Sequence, residues 1–123
     1  MKKKRIVVTG MGIVSCFGND VDLFYNQLLE GKSGIVPIEE FPCQEYPTRF
    51  AGAIRNFETG EYLDKKQARR VDPFTRYTAV AGKKALEHGG LSKEALELLD
   101  KKRCGVLIGS GLGSIEVEPL YIS

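Results

Sequence analysis

The sequence predicts an α/β fold with a sheet of parallel character, and three observations carry that expectation. Two short apolar runs, 6–9 and 104–108, each lead into glycine, as strands buried on both faces do. Between them lie segments whose apolar residues recur at three- and four-residue steps, the period of an amphipathic helix. Only two or three strands are visible in 123 residues, and a sheet so small would have an uncovered edge. The chain is therefore expected to be the incomplete opening portion of a longer protein whose later strands complete the layer.

Each element has its own signal. Ile6, Val7, Val8 and Thr9 are all β-branched and stop at Gly10, where a loop runs to Gly18. Asn19 and Asp20 then offer a polar cap to a helix of about three turns carrying Val21, Phe24, Tyr25, Leu28 and Leu29, closed by Gly31. Residues 31–62 are rich in Gly, Pro and turn formers, with one short strand expected around 50–54; a loop region this long serves an interface or a lid, or is held by chain elsewhere. A basic helix is expected over 65–70. Asp72 and Pro73 next supply an N-cap and a proline at the first helical position. The apolar stripe of that helix is Phe74, Tyr77, Ala81 and Ala85, and Gly89-Gly90 ends it. Ser92 caps a short helix bearing Ala95, Leu96 and Leu99, and the second strand runs into Gly109-Ser110-Gly111-Leu112-Gly113-Ser114.

Composition narrows the function classes. With 42% hydrophobic and 28% charged residues, the chain resembles neither a disordered, a collagen-like nor a coiled-coil sequence. A domain this long is expected to bury roughly two thirds of the surface its unfolded chain exposes. The net charge of +2 gives no reason to expect nucleic acid or a membrane as partner, and no apolar stretch reaches the roughly 20 residues of a membrane span. Cys16, Cys43 and Cys104 form no C-x-x-C pair, and the single histidine, His88, cannot complete a zinc set. They read as reduced thiols in the cytoplasm. An exported lipoprotein competes with that reading, because residues 1–5 are basic, 6–14 mostly apolar, and Ile13-Val14-Ser15-Cys16 has the form of a lipoprotein cleavage site. Thr9, Gly10 and Gly12 interrupt the apolar run and favour a strand entering a turn.

Few residues invite a chemical role. Gly10-Met11-Gly12 follows a strand, but Ser15 stands where a dinucleotide fingerprint has its third glycine, so tight turns and close backbone approach explain these glycines better. The 109–114 loop sits where ligands bind in α/β sheets, yet it lacks a phosphate-binding lysine and is followed by Glu116 and Glu118; a plain turn and a loop shaping an apolar pocket both stay open. His88 in a last helical turn reads as structural, an imidazolium there favouring the helix dipole, and Cys104 as an inert buried thiol. Glu39 and Glu40 read as solvated. Lys66, Arg69 and Arg70 fall at i, i+3 and i+4 on one helix face, with Lys65 and Arg76 close by in sequence. That face concentrates positive charge, whether as a solvated surface or as a docking site.

Taken together, Arg5-Ile6-Val7-Val8-Thr9-Gly10-Met11-Gly12-Ile13-Val14-Ser15, then Phe17-Gly18-Asn19, Gly31-Lys32-Ser33-Gly34-Ile35, Arg69-Arg70-Val71-Asp72 and Gly109-Ser110-Gly111-Leu112-Gly113, resemble the start of a β-ketoacyl-[acyl-carrier-protein] synthase, the type II condensing enzyme of fatty acid synthesis. The resemblance implies a thiolase-like, layered αβαβα fold of which residues 1–123 form the N-terminal portion, truncated before the catalytic cysteine. It implies a cytoplasmic homodimer that condenses acyl chains with malonyl-acyl carrier protein by decarboxylative Claisen chemistry, with no cofactor and no metal. In that family an acyl group passes to a cysteine at a helix N-terminus, and two histidines serve decarboxylation and the developing oxyanion. All three would lie beyond Ser123, so no catalytic residue is assigned here and the 123 residues alone are expected to be inactive.

By position, Lys66, Arg69 and Arg70 match the patch that docks acyl carrier protein. Leu112, between Gly111 and Gly113, matches the apolar residue gating the pocket for the acyl and malonyl thioester substrates. Ser114 departs from the glycine of many relatives. A noncatalytic partner subunit of such a synthase and a small exported or binding domain are the alternatives.

Overall fold

A computed structural model describes residues 3–111. In chain order its elements are α1 (Val21–Leu29), β1 (Val36–Pro37), β2 (Phe50–Ala51), α2 (Lys65–Ala68), α3 (Pro73–His88) and α4 (Lys93–Glu97), followed by a 3-10 turn at Lys101–Arg103. All four expected helices form, and each begins on a side chain that accepts from an otherwise unpartnered backbone N–H. Asp20 Oδ1 accepts from Leu23 at 2.8 Å, Asp64 Oδ1 from both Lys66 and Gln67 at 2.8 Å, Asp72 Oδ1 from Thr75 at 2.7 Å and Ser92 Oγ from Ala95 at 3.2 Å. Gly89 closes α3 as expected, and Gly90 turns the chain away at φ 70°.

Packing centres on α3. Phe74, Tyr77, Ala81 and Ala85 are half-buried, as their stripe predicts, but the one fully buried side chain among the described residues is Val80, which the stripe omitted. Phe57 meets Tyr77 edge-on with ring centroids 4.7 Å apart. Residues 10–12 cross the same helix so closely that a Cβ on Gly10 would strike the carbonyl of Ala85, and one on Gly12 the carbonyl of Ala81. The close backbone approach expected of this glycine pair is therefore real. Met11 N–H donates to His88 Nδ1 at 2.9 Å across the same contact. His88 takes a structural place, as expected, its Nδ1 accepting this bond.

The expected strands differ most. Neither 6–9 nor 104–108 is a strand: a strand is defined by its ladder, and neither segment finds a ladder partner among the described residues. Ile6 is 93% exposed and Leu107 100%. The sheet present is instead an antiparallel pair, β1 with β2, in the register Val36↔Ala51 and Pro37↔Phe50, prolonged by Ile38 N–H donating to Arg49 O at 3.0 Å. The expected strand near 50–54 thus shortens to two residues, and its partner arises inside the long 31–62 loop.

The parallel character read from the sequence is absent from the described residues, and so is the expected core. Among them only Cys43 and Val80 are buried. On α1, Val21 and Phe24 are half-buried while Tyr25, Leu28 and Leu29 are exposed, because no described layer covers that side. Cys104, expected to be buried, is exposed for the same reason, its segment lying in no sheet. No described helix is long and apolar enough to cross a membrane.

The glycine contact yields a paired test. Gly12→Ala should destabilise the fold by about 1–3 kcal/mol, since helix backbone cannot give way as a flexible side chain would. Gly82→Ala, on an exposed position of α3 where a Cβ meets nothing within 4 Å, should stabilise by up to about 1 kcal/mol. Urea unfolding of the two variants, followed by helical circular dichroism, checks the contrast.

Candidate functional site

The basic segment forms one short turn of helix. Asp64 caps α2, the helix covers Lys65–Ala68, Arg69 is its C-cap, and Arg70 N–H still reaches Gln67 O at 3.0 Å. The helix is thus shorter than 65–70, with Arg69 and Arg70 on its closing turn. Ala68 and Val71 are half-buried and fix the inner side, whereas Lys65, Lys66, Arg69 and Arg70 are exposed. The ion pairs among the described residues are Lys32 with Glu30 and Arg55 with Glu39 and Glu40, so none engages these cations. Four positive charges within six residues therefore face solvent together. Arg76, expected nearby, differs: it lies on α3, half-buried, with an Nε that has no hydrogen-bond partner among the described residues.

The glycine-rich loop is described only at its start. Gly111 is exposed in a bend, and Leu112, Gly113 and Ser114 lie outside the described residues. Residues 105–109 form one wall of an apolar groove of about 830 Å³, opposite Phe74, Thr78, Ala81 and Leu86 of α3. The groove places the entry to this loop beside the helix that follows the basic turn.

The sequence reading missed a polar cluster joining the chain before α2 to the far end of α3. The Tyr62 hydroxyl donates to Glu87 Oε2 at 2.5 Å, Lys83 Nζ donates to Tyr62 O, and Lys84 Nζ lies 5.7 Å from the centre of the Tyr62 ring. The bond to Glu87 holds the Tyr62 phenol above its usual pKa. Lys84 also donates to Asn19 Oδ1 at 3.3 Å, ahead of α1, and Asn19, Tyr62, Lys84 and Glu87 line a small cleft of about 180 Å³ with Asp20, Asp22 and His88. The helical spacing of Lys83, Lys84 and Glu87 is legible in the sequence; their shared partner Tyr62, 21 to 25 residues upstream, is not.

Other candidates take structural places. Glu39 and Glu40 are exposed and flank Arg55, which also donates to Pro37 O at 3.1 Å and so braces the β1 hairpin. Its own and the Glu39 backbone N–H, with Arg55 adding to them, pull the Glu40 carboxyl below its usual pKa. Cys16, Cys43 and Cys104 are unpaired; Cys16 lies against Gly34, and the Cys43 thiol donates to Ile38 O at 3.7 Å. Among the described residues, no group of three or more His, Cys, Asp and Glu is placed to hold a metal ion.

Comparisons with known proteins agree in one direction. The chain is 51% identical over 115 residues to the 3-oxoacyl-[acyl-carrier-protein] synthase I, chloroplastic, of Arabidopsis thaliana, covering 94% of this chain and 24% of that protein. It is 45% identical over 119 residues to the 3-oxoacyl-[acyl-carrier-protein] synthase 2 of Vibrio harveyi, covering 95% and 28%. The chain thus spans about a quarter of the length of these relatives. Among solved structures, the ishigamide ketosynthase/chain length factor superposes with a TM-score of 0.66 at 26% identity, over 76% of this chain and 23% of that one. A beta-ketoacyl synthase from Burkholderia phymatum STM815 shares the fold, with a TM-score of 0.59 at 23% identity over 75% and 23%. These likenesses give the chain the ketosynthase, thiolase-like fold even though segments 6–9 and 104–108 form no strand among the described residues. The family described as Beta-ketoacyl synthase, N-terminal domain, matches residues 3–121, and the chain belongs to it.

Proposed function

We propose that residues 1–123 are the N-terminal portion of a 3-oxoacyl-[acyl-carrier-protein] synthase of fatty acid biosynthesis, an acyltransferase that works as a cytoplasmic homodimer. In the complete enzyme an acyl group moves from a carrier thioester to a cysteine sulfur. Malonyl-carrier protein then loses CO₂, and its carbanion attacks the acyl carbonyl, forming the carbon–carbon bond and releasing the thiolate. The segment described here contributes recognition, not the reacting groups. The observation that carries this reading is the exposed cationic turn of Lys66, Arg69 and Arg70, which none of the ion pairs seen among the described residues engages, in a chain of the ketosynthase family. Such a turn suits an acidic protein, whose approach it accelerates through long-range attraction.

Arg69→Glu/Arg70→Glu in the complete enzyme should raise KM for carrier-linked acyl substrates about tenfold while sparing a carrier-free acyl thioester. Added salt should shrink the difference, because exposed charges are screened over about 8 Å at physiological ionic strength. Equal losses on both substrates would point to misfolding and remove docking from this surface.

Leu112, with Gly111 and Gly113 on either side, is proposed as the movable apolar residue of the acyl pocket. Glycine neighbours permit the backbone change that admits a long chain. Leu112→Phe should then slow long acyl primers well before acetyl, each excluded methylene being worth about 0.8 kcal/mol. Rates over a primer series, read beside the melting temperature, separate this from simple overpacking. An unchanged chain-length profile in a stable variant excludes Leu112 from the pocket.

A further inference from the structure

α2 is one turn long, too short to persist by its own hydrogen bonds. Its geometry depends on what holds the chain at its two ends. After Arg70 the chain passes directly into the Asp72 cap of α3, so that end is fixed by continuity. Before Asp64 the chain is fixed by Tyr62, whose hydroxyl, carbonyl and ring are engaged by Glu87, Lys83 and Lys84. Glu87 lies 14 residues beyond Pro73, about 21 Å along the helix axis. The segment 62–72 is thus anchored to two well-separated points of one helix, with the basic turn between them. A local turn, in which Tyr62 N–H donates to Thr59 O at 3.1 Å and Thr59 Oγ1 to Leu63 O at 3.2 Å, presents the tyrosine to α3.

We infer that Tyr62 is a positioning residue for carrier-protein recognition: clamped to Glu87, Lys83 and Lys84, it holds the α2 turn so that Lys66, Arg69 and Arg70 present their charges as one surface. The inference rests on the docking role proposed above and adds the element that makes the docking surface rigid. Without the clamp, α2 populates other conformations, and the apparent affinity for the carrier falls by the fraction that remains competent.

The test uses the complete synthase, steady-state kinetics on carrier-linked and carrier-free acyl thioesters, and amide exchange over residues 62–70. Tyr62→Phe keeps the ring beside Lys84 and removes only the hydroxyl. It should raise KM for the carrier-linked substrate about threefold, leave kcat and the carrier-free KM unchanged, and speed exchange in 65–70. Glu87→Leu should do the same, whereas Glu87→Gln, which still offers an acceptor to the hydroxyl, should behave like the parent. Equal losses on both substrates, or a Glu87→Gln defect as large as that of Glu87→Leu, would overturn the inference. Where charge reversal at Arg69 and Arg70 raises the carrier KM but Tyr62→Phe changes neither KM nor exchange, the positioning role alone is overturned. Where the reversal itself has no effect, the docking reading falls and takes this inference with it.

Discussion

The contact on which the rest of the structure depends is the crossing of residues 10–12 over α3. Two glycines and two alanines bring backbone to backbone there, since side chains larger than a methyl on α3, or any Cβ on Gly10 and Gly12, would hold the segments apart. At that crossing Met11 N–H also donates to His88 Nδ1, which ties the segment to the last turn of α3. From this anchor the chain turns through the paired hydrogen bonds of Ser15 and Gly18, at 2.8 and 3.0 Å, into α1. Lys84 reaches Asn19 at the start of that helix, so α1 is tied to α3 from both sides of the turn. The Tyr62 cluster uses the same stretch of α3, which places the N-terminal segment and the chain before α2 against one helix.

What was legible in the sequence was local. Every helix start was readable because an Asp or Ser cap and the N–H it satisfies lie within three residues of each other. The glycine crossing was legible as a need for close approach, though not its target. Strands were harder, for the ladder that defines one is formed with distant chain. The β-branched run at 6–9 has the composition of a buried strand and no ladder partner among the described residues, whereas Val36–Pro37, containing a residue that cannot donate to a ladder, pairs with Phe50–Ala51. Val80 was within reach of the helical pattern, three residues after Tyr77, and was passed over in favour of Ala81. Tyr62 with Glu87 was not within reach, because two polar residues on separate elements carry no periodicity that joins them.

Net charge was also a poor guide to the electrostatics of the surface. A total of +2 suggests no field worth noting, yet the charges are sorted by whether they are matched. Arg55 faces Glu40 at 3.5 Å and Glu39 at 3.7 Å, and its field is cancelled where it arises. Around the basic turn the carboxylates nearest in sequence, Asp64 and Asp72, accept backbone N–H groups at the starts of α2 and α3. The capping that starts these two helices aims one oxygen of each aspartate at the backbone without removing its charge, and Lys66, Arg69 and Arg70 between them are exposed. Local folding and surface charge are therefore read from the same residues: each aspartate that starts a helix also sets a negative charge beside the basic turn, so the field there is the sum of both signs.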